Sequence, residues 1–519
     1  MLVIIPTAGI GSRLDYFTEN FNKAMVQIGD EPSISKIINF YPKYCKFVII
    51  LGYKQNHIKE YIKLVHNDRN IKFRSVFPFE GKDSSLTLTL TQAINDIKEP
   101  FFFHANDTII LDKNIFKPKK KNTIFVHSGK SDCLKYATVD IKKNKIYPKQ
   151  SKLITNRKNY IGVSYIKDFK DFKEILRKDK SKNGELSFFY KLNTDQFETK
   201  IVDDWFDIGS KETKEIAEKF FSNKNILSKN DQGIFFHKDK VIKFFTNPNT
   251  IKNRCKRSKI LKPFVPQILK YSKFFYVYKY VKGKTLSSFD NKEFFFKNFL
   301  NNLYKKFWKK IHLNNKEYIN FTNNCFNFYY EKTVSRINYL FERNDFKDQK
   351  HVINGKSIPK IDTMISKIDW DFIKSGVPVN FHGDLHFENI IKNGNDFKLL
   401  DWREDFAGIT EYGDLYYDLA KINHGFIIDH KLISLNNFKI MSLGNNKINI
   451  SYKQSPTNKK CKKIFFEFLK KKNFSLEKVE LLTALIYLNV APLHHYPYSL
   501  FLYYLGKVEL NKAIKQYIK

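Results

Sequence analysis

The sequence predicts an α/β chain of two domains: a mostly parallel sheet with helices on both faces over residues 1–225, then an α+β domain over 226–519. Three observations predict it. Up to about residue 222, short apolar runs alternate with amphipathic helical segments, the rhythm of parallel strands joined by helical crossovers. From about residue 230 the rhythm changes to closely spaced strands and then to long Phe- and Lys-rich helices. At 519 residues, with 42% hydrophobic and 16% aromatic residues, the chain exceeds what one core usually serves and has ample material to bury.

In order, "LVIIPTAG", "KFVIILGY", "IKFRSVF", "PFFFHAND" and "YIGVSYI" read as strands, with "SISKIINFY" and "QNHIKEYIKLV" as helices between the first of them. Ligands are expected at the carboxyl ends of such strands. The polar stretch from Ser222 to Gln232 reads as the linker. Beyond it, "GIFFHKDKVIKFF" and "FFYVYKYVKG" read as antiparallel strands. Residues 481–505 are apolar enough to test as a membrane span, but Pro492, His494, His495 and Pro497 interrupt the middle, so buried helices and no stable membrane insertion are expected.

The five cysteines are widely spaced and form no CxxC pair, which predicts neither a disulfide framework nor a zinc site. With no signal-peptide pattern at the start, a reducing cytoplasm is the expected compartment. The formal charge of +38 comes largely from Lys spread along the whole chain. No compact basic block with interleaved aromatics stands out, so no nucleic-acid partner is expected. Anionic substrates still gain from the field.

In "IIPTAGIGSR" a strand runs into a glycine turn. Backbone groups at Ala8, Gly9, Gly11 and Ser12 are expected to approach a nucleotide closely, because Gly9 and Gly11 lack side chains. The dinucleotide form needs a third glycine near Leu14, and the P-loop form needs Gly-Lys-Ser/Thr; neither is present. Arg13 and Lys23 instead offer two cations for a triphosphate. This combination resembles the nucleotidyltransferase family that makes nucleoside-diphosphate sugars and CDP-choline, whose opening is GxGxR followed by Pro-Lys; here the pair is Asn22 and Lys23. The resemblance covers residues 1 to about 220 and implies a Rossmann-like domain. It further implies that Asp107 in "FFFHANDTII" and Asp207 in "WFDIGSKE" bind Mg²⁺, and that Gly162 and Glu185 contact the group being activated. Two carboxylates suit a hard cation that neutralises a triphosphate under attack. In "EGKDSSLTLTL", Ser84 and Ser85 either face the base or substrate or begin a helix.

In "HGDLHFEN", Asp384 and Asn389 stand five residues apart, the kinase catalytic-loop spacing in which the aspartate takes the alcohol's proton and the asparagine holds Mg²⁺. Asp401 in "KLLDWRED" follows as the second metal ligand, and Lys243 in "KVIKFF" sits on a strand as a lysine for ATP phosphates. The set resembles the aminoglycoside phosphotransferase and choline kinase superfamily, a bilobal protein-kinase-like fold, over about residues 230–519. "YVYKYVKGKTL" resembles its hinge and "YGDLYYDLAKI" the helix after its metal site. His382 is expected to be a buried hydrogen-bonding residue, and His386 and Glu388 surface or packing residues. The segment "IKNRCKRSKIL" offers no glutamate to orient Lys243.

Together these resemblances imply a bifunctional enzyme. One domain phosphorylates a small hydroxylated compound, a sugar or polyol, with ATP. The other couples that phosphate to a nucleoside monophosphate from a second triphosphate (CTP, UTP or GTP), releasing pyrophosphate for surface-glycan or capsule precursors. Choline as substrate is the rival, which would make the pair a choline kinase and a CTP:phosphocholine cytidylyltransferase. A scaffold with degenerate nucleotide sites is a third alternative, opposed by the full set of metal carboxylates and base.

Overall fold

A computed structural model describes residues 1–517 apart from 15, 118, 151–153, 155, 222–230, 345, 429–434 and 436. The stretch read as the linker therefore lies almost wholly outside the described residues. The chain divides into two compact units, Met1–Ile251 with Leu269–Tyr278, and Lys252–Ile268 with Lys279–Lys519.

In the first unit the central strands are β1 (Leu2–Pro6), β2 (Lys46–Leu51), β3 (Asn70–Ser75) and β4 (Phe101–His104), with α1 (Ser33–Phe40) and α2 (Gln55–Val65) between the first three. β1 pairs in parallel with β2 and β4, and β2 with β3. Alternate residues of β1 face opposite ways, as a two-residue period requires. Val3 and Ile5 join Ile34, Ile58 and Tyr61 in one core; Leu2 and Ile4 join Leu90, Phe101 and Phe172 in the other. A strand buried on both sides is why the opening reads as a continuous apolar run.

The sheet is mixed where a mostly parallel one was expected. β5 (Lys158–Ile166) runs antiparallel to β4 and to the strand Asn122–His127, which itself pairs in parallel with Phe197–Val202. The described chain between β4 and β5 holds short strands and one 3₁₀ turn, so it lacks the helical crossover that a parallel neighbour needs.

The strands β6 (Gln232–His237), β7 (Lys240–Phe245) and β8 (Phe275–Lys279) form a four-stranded sheet with Ile268–Tyr271, and β6 and β7 are antiparallel as read. Phe235, Ile242, Phe244, Phe275 and Val277 share the core of Val3, Ile58 and Tyr61. The sheet seats on α2: the Phe244 ring lies 4.9 Å from His57 and Phe235 lies 5.6 Å from Tyr61. Glu60 accepts hydrogen bonds from Ser272 Oγ at 2.8 Å and Phe274 N–H at 3.1 Å.

The second unit is mainly helical. It takes most of α3 (Pro248–Ile260) and contains α4 (Lys332–Asn344), the hairpin β9 (Ile390–Asn393) and β10 (Asp396–Leu399), α5 (Leu415–His424), α6 (Leu476–Val490) and α7 (Tyr498–Tyr517). Residues 481–505 form the end of α6, a turn containing both prolines, and the start of α7, whose Leu481, Leu482, Phe501 and Leu502 are buried. Among the described residues no helix is long and apolar enough to cross a membrane. All five cysteines are free and buried.

Candidate active sites

The glycine turn after β1 is built to approach something closely. Gly11 has φ +77°, and a Cβ there would lie 3.1 Å from both Lys23 Cβ and Thr18 Cγ2. Asn22, buried, stands where the resembled motif has proline and secures the loop by hydrogen bonds: its amide donates to Thr7 O at 3.0 Å and Tyr53 O at 2.5 Å, and its oxygen accepts from Ala24 N–H at 2.8 Å. That fixes Lys23 at the start of a 3₁₀ turn. Ala8 is buried, with its carbonyl accepting from Tyr53 N–H at 2.9 Å, whereas Gly9 and Ser12 are exposed.

Lys23, Arg13, Asp107 and Asp207 come together. Lys23 Nζ lies 2.6 Å and Arg13 Nη2 4.0 Å from Asp107 Oδ2. Asp207 Oδ1 accepts from Gly209 N–H at 2.8 Å, and Asp207 Oδ2 accepts from Tyr136 O–H at 2.7 Å. A Cβ on Gly209 would meet Asp207 Oδ1 at 2.9 Å, Asp107 Oδ2 at 3.2 Å and Arg13 Nη2 at 3.4 Å. Both carboxylates and the arginine thus surround one point that only glycine leaves open. Burial pushes the Asp107 carboxyl up, but Lys23 and then Arg13 outweigh it and hold it below its ordinary value. The pair of strands Thr108–Ile110 and Trp205–Asp207, antiparallel, sets the two carboxylates side by side.

Glu185 is 3% exposed, and its carboxyl is pushed up to about 8, chiefly by burial, opposed by its hydrogen bond from Tyr160 O–H at 3.0 Å and assisted by the charge of Asp107. Its Oε2 has no hydrogen-bond partner among the described residues. Gly162 has φ +76° in β5, and a Cβ there would lie 2.9 Å from Ala105 Cβ. Ser85 caps the helix Leu86–Thr91, accepting from Leu88 N–H at 3.0 Å, and Ser84 Oγ donates to Gly81 O at 2.8 Å. Ser85 thus starts the helix, and Ser84 closes the turn before it.

In the second unit, the loop around Asp384 hangs on Asp418. This buried carboxylate accepts from His382 N–H and Gly383 N–H at 2.7 Å each and from Trp308 Nε1–H at 3.0 Å. Burial raises its pKa to about 6, against those hydrogen bonds. Asp384 Oδ1 lies 2.9 Å from Lys421 Nζ, and its Oδ2 accepts from Asn389 Nδ2 at 3.2 Å and lies 3.5 Å from His386 Nε2. Burial works to raise Asp384, but Lys421 and His386 hold it well below the usual range, so it stays an ionised acceptor. Asn389 also donates to Asp384 O at 2.9 Å, which leaves its side-chain oxygen for another ligand. Leu400 N–H donates to Asn389 O at 2.7 Å, tying the end of the hairpin to the loop just before Asp401. Asp401 has φ +56° and an ion pair with Arg254 at 3.5 Å.

His382 is fully buried with its pKa lowered to about 3 by burial, and its Nδ1 accepts from Asp384 N–H at 3.2 Å, the expected structural role. His386 and Glu388 depart from expectation. His386 bridges Asp384 and Glu388, the latter at 2.8 Å, and these two carboxylates outweigh burial to raise its pKa to about 9. A cation beside Asp384 rather than a packing residue is the result. In α3, the segment without a glutamate, Arg254 lies 3.5 Å from Glu404 as well as from Asp401. Lys243 lies on β7, 2% exposed, in the first unit. Sequence reasoning gave no role to Tyr136, Gly209, Lys421 and Asp418, although "WFDIGSKE" contains Gly209 and "YGDLYYDLAKI" contains Asp418 and Lys421.

No protein-family model matches the chain, and no curated protein matches it. Among solved structures, the N-terminal part is similar to the CTP:phosphocholine cytidylyltransferase of Streptococcus pneumoniae (17% identity, 43% of this chain and 99% of that one, TM-score 0.34). It is likewise similar to a UDP-glucose pyrophosphorylase from Acinetobacter baumanii (13% identity, 42% and 92%, TM-score 0.35) and to a UDP-glucose pyrophosphorylase complexed with UDP-glucose (16% identity, 42% and 97%, TM-score 0.36).

Proposed function

We propose that the chain carries two phosphorus-transfer sites. The first unit transfers a nucleoside monophosphate from a triphosphate to a phosphorylated small molecule, and the second phosphorylates a hydroxyl group with ATP. The observation that carries the first reaction is the convergence of Lys23, Arg13, Asp107 and Asp207 on the space beside Gly209. The two cations neutralise the triphosphate while an acceptor phosphate oxygen attacks its α-phosphorus, and the bond to the β-phosphate oxygen breaks to release pyrophosphate. Glu185, protonated near neutral pH, offers a hydrogen-bond donor to the acceptor.

Mg²⁺ fits the donors present. Asp107 and Asp207 supply hard oxygens, and no third His, Cys, Asp or Glu joins them among the described residues, so triphosphate oxygens would complete the shell. In the second unit the Asn389 side-chain oxygen and Asp401 are the corresponding donors. When bound, the ion offsets the phosphate charge that develops during transfer.

For the second reaction, ionised Asp384 takes the acceptor's hydroxyl proton, with Lys421 and His386 fixing its orientation. The product of this step is the acceptor of the first unit's reaction, which would supply activated precursors for surface-glycan or capsule assembly. The test is to incubate the full chain with Mg²⁺, ATP and panels of sugars, polyols and their acids, following ADP, and then with CTP, UTP or GTP, following pyrophosphate. Turnover at both steps is expected. Nucleotide binding without either product would favour a degenerate scaffold.

A further inference from the structure

The surroundings of Asp384 say what kind of molecule presents the hydroxyl. Lys332 and Arg336 stand one turn apart on α4, on one face. Arg403 follows Asp401, and Lys421 comes from α5. The Phe328 ring gathers two of them: Lys332 Nζ lies 4.1 Å and Arg403 Cζ 5.0 Å from its centroid. Lys421 touches Asp384 itself.

These cations outnumber their carboxylates. Lys421 pairs with Asp384; Arg403 lies 3.9 Å from Glu404, which is shared with Arg254. Among the described residues, Arg336 donates only to neutral oxygens, Asn489 Oδ1 at 2.5 Å and Asn489 O at 3.1 Å. Lys332 makes no hydrogen bond or ion pair among the described residues; its contact is the Phe328 ring. Burial, then the charges of Arg403, Arg336 and Lys421, lower the Lys332 pKa to about 5. Lys332 is therefore uncharged near neutral pH beside the charged Arg336, Arg403 and Lys421, and an anion entering among them offsets that repulsion and favours the charged form of Lys332.

We infer that the acceptor phosphorylated at Asp384 carries its own negative group, a carboxylate or a phosphate, seated among Lys332, Arg336 and Arg403 while its hydroxyl faces Asp384. The inference rests on the kinase reading of Asp384. In the step, the acceptor hydroxyl oxygen forms a bond to the γ-phosphorus, the bond from that phosphorus to the β–γ bridging oxygen breaks, ADP leaves, and the hydroxyl proton passes to Asp384. Choline, a cation, would be repelled from the same place.

The experiment uses the full chain with ATP and four acceptor classes: hydroxy acids, polyol phosphates, neutral polyols and choline. Either anionic class, or both, is expected to exceed the neutral and cationic classes by about tenfold or more in kcat/KM, the scale of a charge-assisted hydrogen bond; which one wins identifies carboxylate or phosphate. Lys332→Met and Arg336→Met should raise KM for the anionic acceptor by a similar factor and leave KM for ATP unchanged. Inorganic sulfate should compete with the acceptor in the parent protein, and more weakly in both variants. Preference for a neutral polyol or choline would overturn the anionic acceptor and leave the kinase standing. ADP formation equal in the parent and in Asp384→Asn with every class would overturn both.

Discussion

Glu185 sets a pH dependence that a single substitution isolates. Its folded pKa of about 8 stands above the ordinary 4.5, so between those values the folded chain holds a proton that the unfolded chain has lost. Its contribution is therefore fully present below about pH 4.5 and is lost as pH rises through 8. Glu185→Gln should flatten the fall in unfolding free energy over that window, measured by urea titrations at several pH values; an unchanged slope would place the carboxyl in a more polar setting. At the two centres, Asp107→Ala should lower the rate of pyrophosphate release on the order of a hundredfold or more, the scale of losing a fixed electrostatic contact. Asp384→Asn should lower ATP-dependent phosphorylation by about a hundredfold or more and leave pyrophosphate release from presynthesised acceptor phosphate unchanged. These residues were legible because each sits in a short local pattern. Tyr136 and Lys421 were not readable as contacts of Asp207 and Asp384, because they arrive from other elements and only the fold supplies the proximity.

Strands and helices of the first unit were legible to the extent that periodicity encodes them. "LVIIP" alternates between two cores, and α2 buries Ile58, Tyr61, Ile62 and Val65 at helical spacing. Strand direction is a different matter: a two-residue period is the same in either sense, so nothing in "YIGVSYI" announced that β5 runs against β4. What β5 does carry is Gly162, whose left-handed backbone and close neighbour Ala105 leave no room for a side chain. Gly162→Ala should destabilise the protein by about 2 kcal/mol or more, from backbone strain plus overpacking. The check is the urea midpoint of the variant, with the activity of the second unit as an internal control.

At the scale of the whole chain, the sequence pattern reads a change of rhythm near residue 230, but it could not say which core the next strands join, and the first unit continues to Ile251 and takes in Leu269–Tyr278. Phe235, Ile242, Phe244, Phe275 and Val277 lie in the core of the first unit. A chain ending at residue 225 should therefore expose Ile58 and Tyr61 and be markedly less stable than one ending after β8. Thermal unfolding and solubility of the two truncations would decide it; equal stability would show that the strands contribute little to that core. The same arrangement bears on synthesis. Because Leu269–Tyr278 belongs to the first unit while Lys252–Ile268 belongs to the second, the ribosome begins the second unit before it has finished the first. At roughly 5–20 residues per second, the apolar side of α2 waits on the order of ten seconds or more for its last covering strand, an interval in which a nascent-chain chaperone has a defined surface to guard.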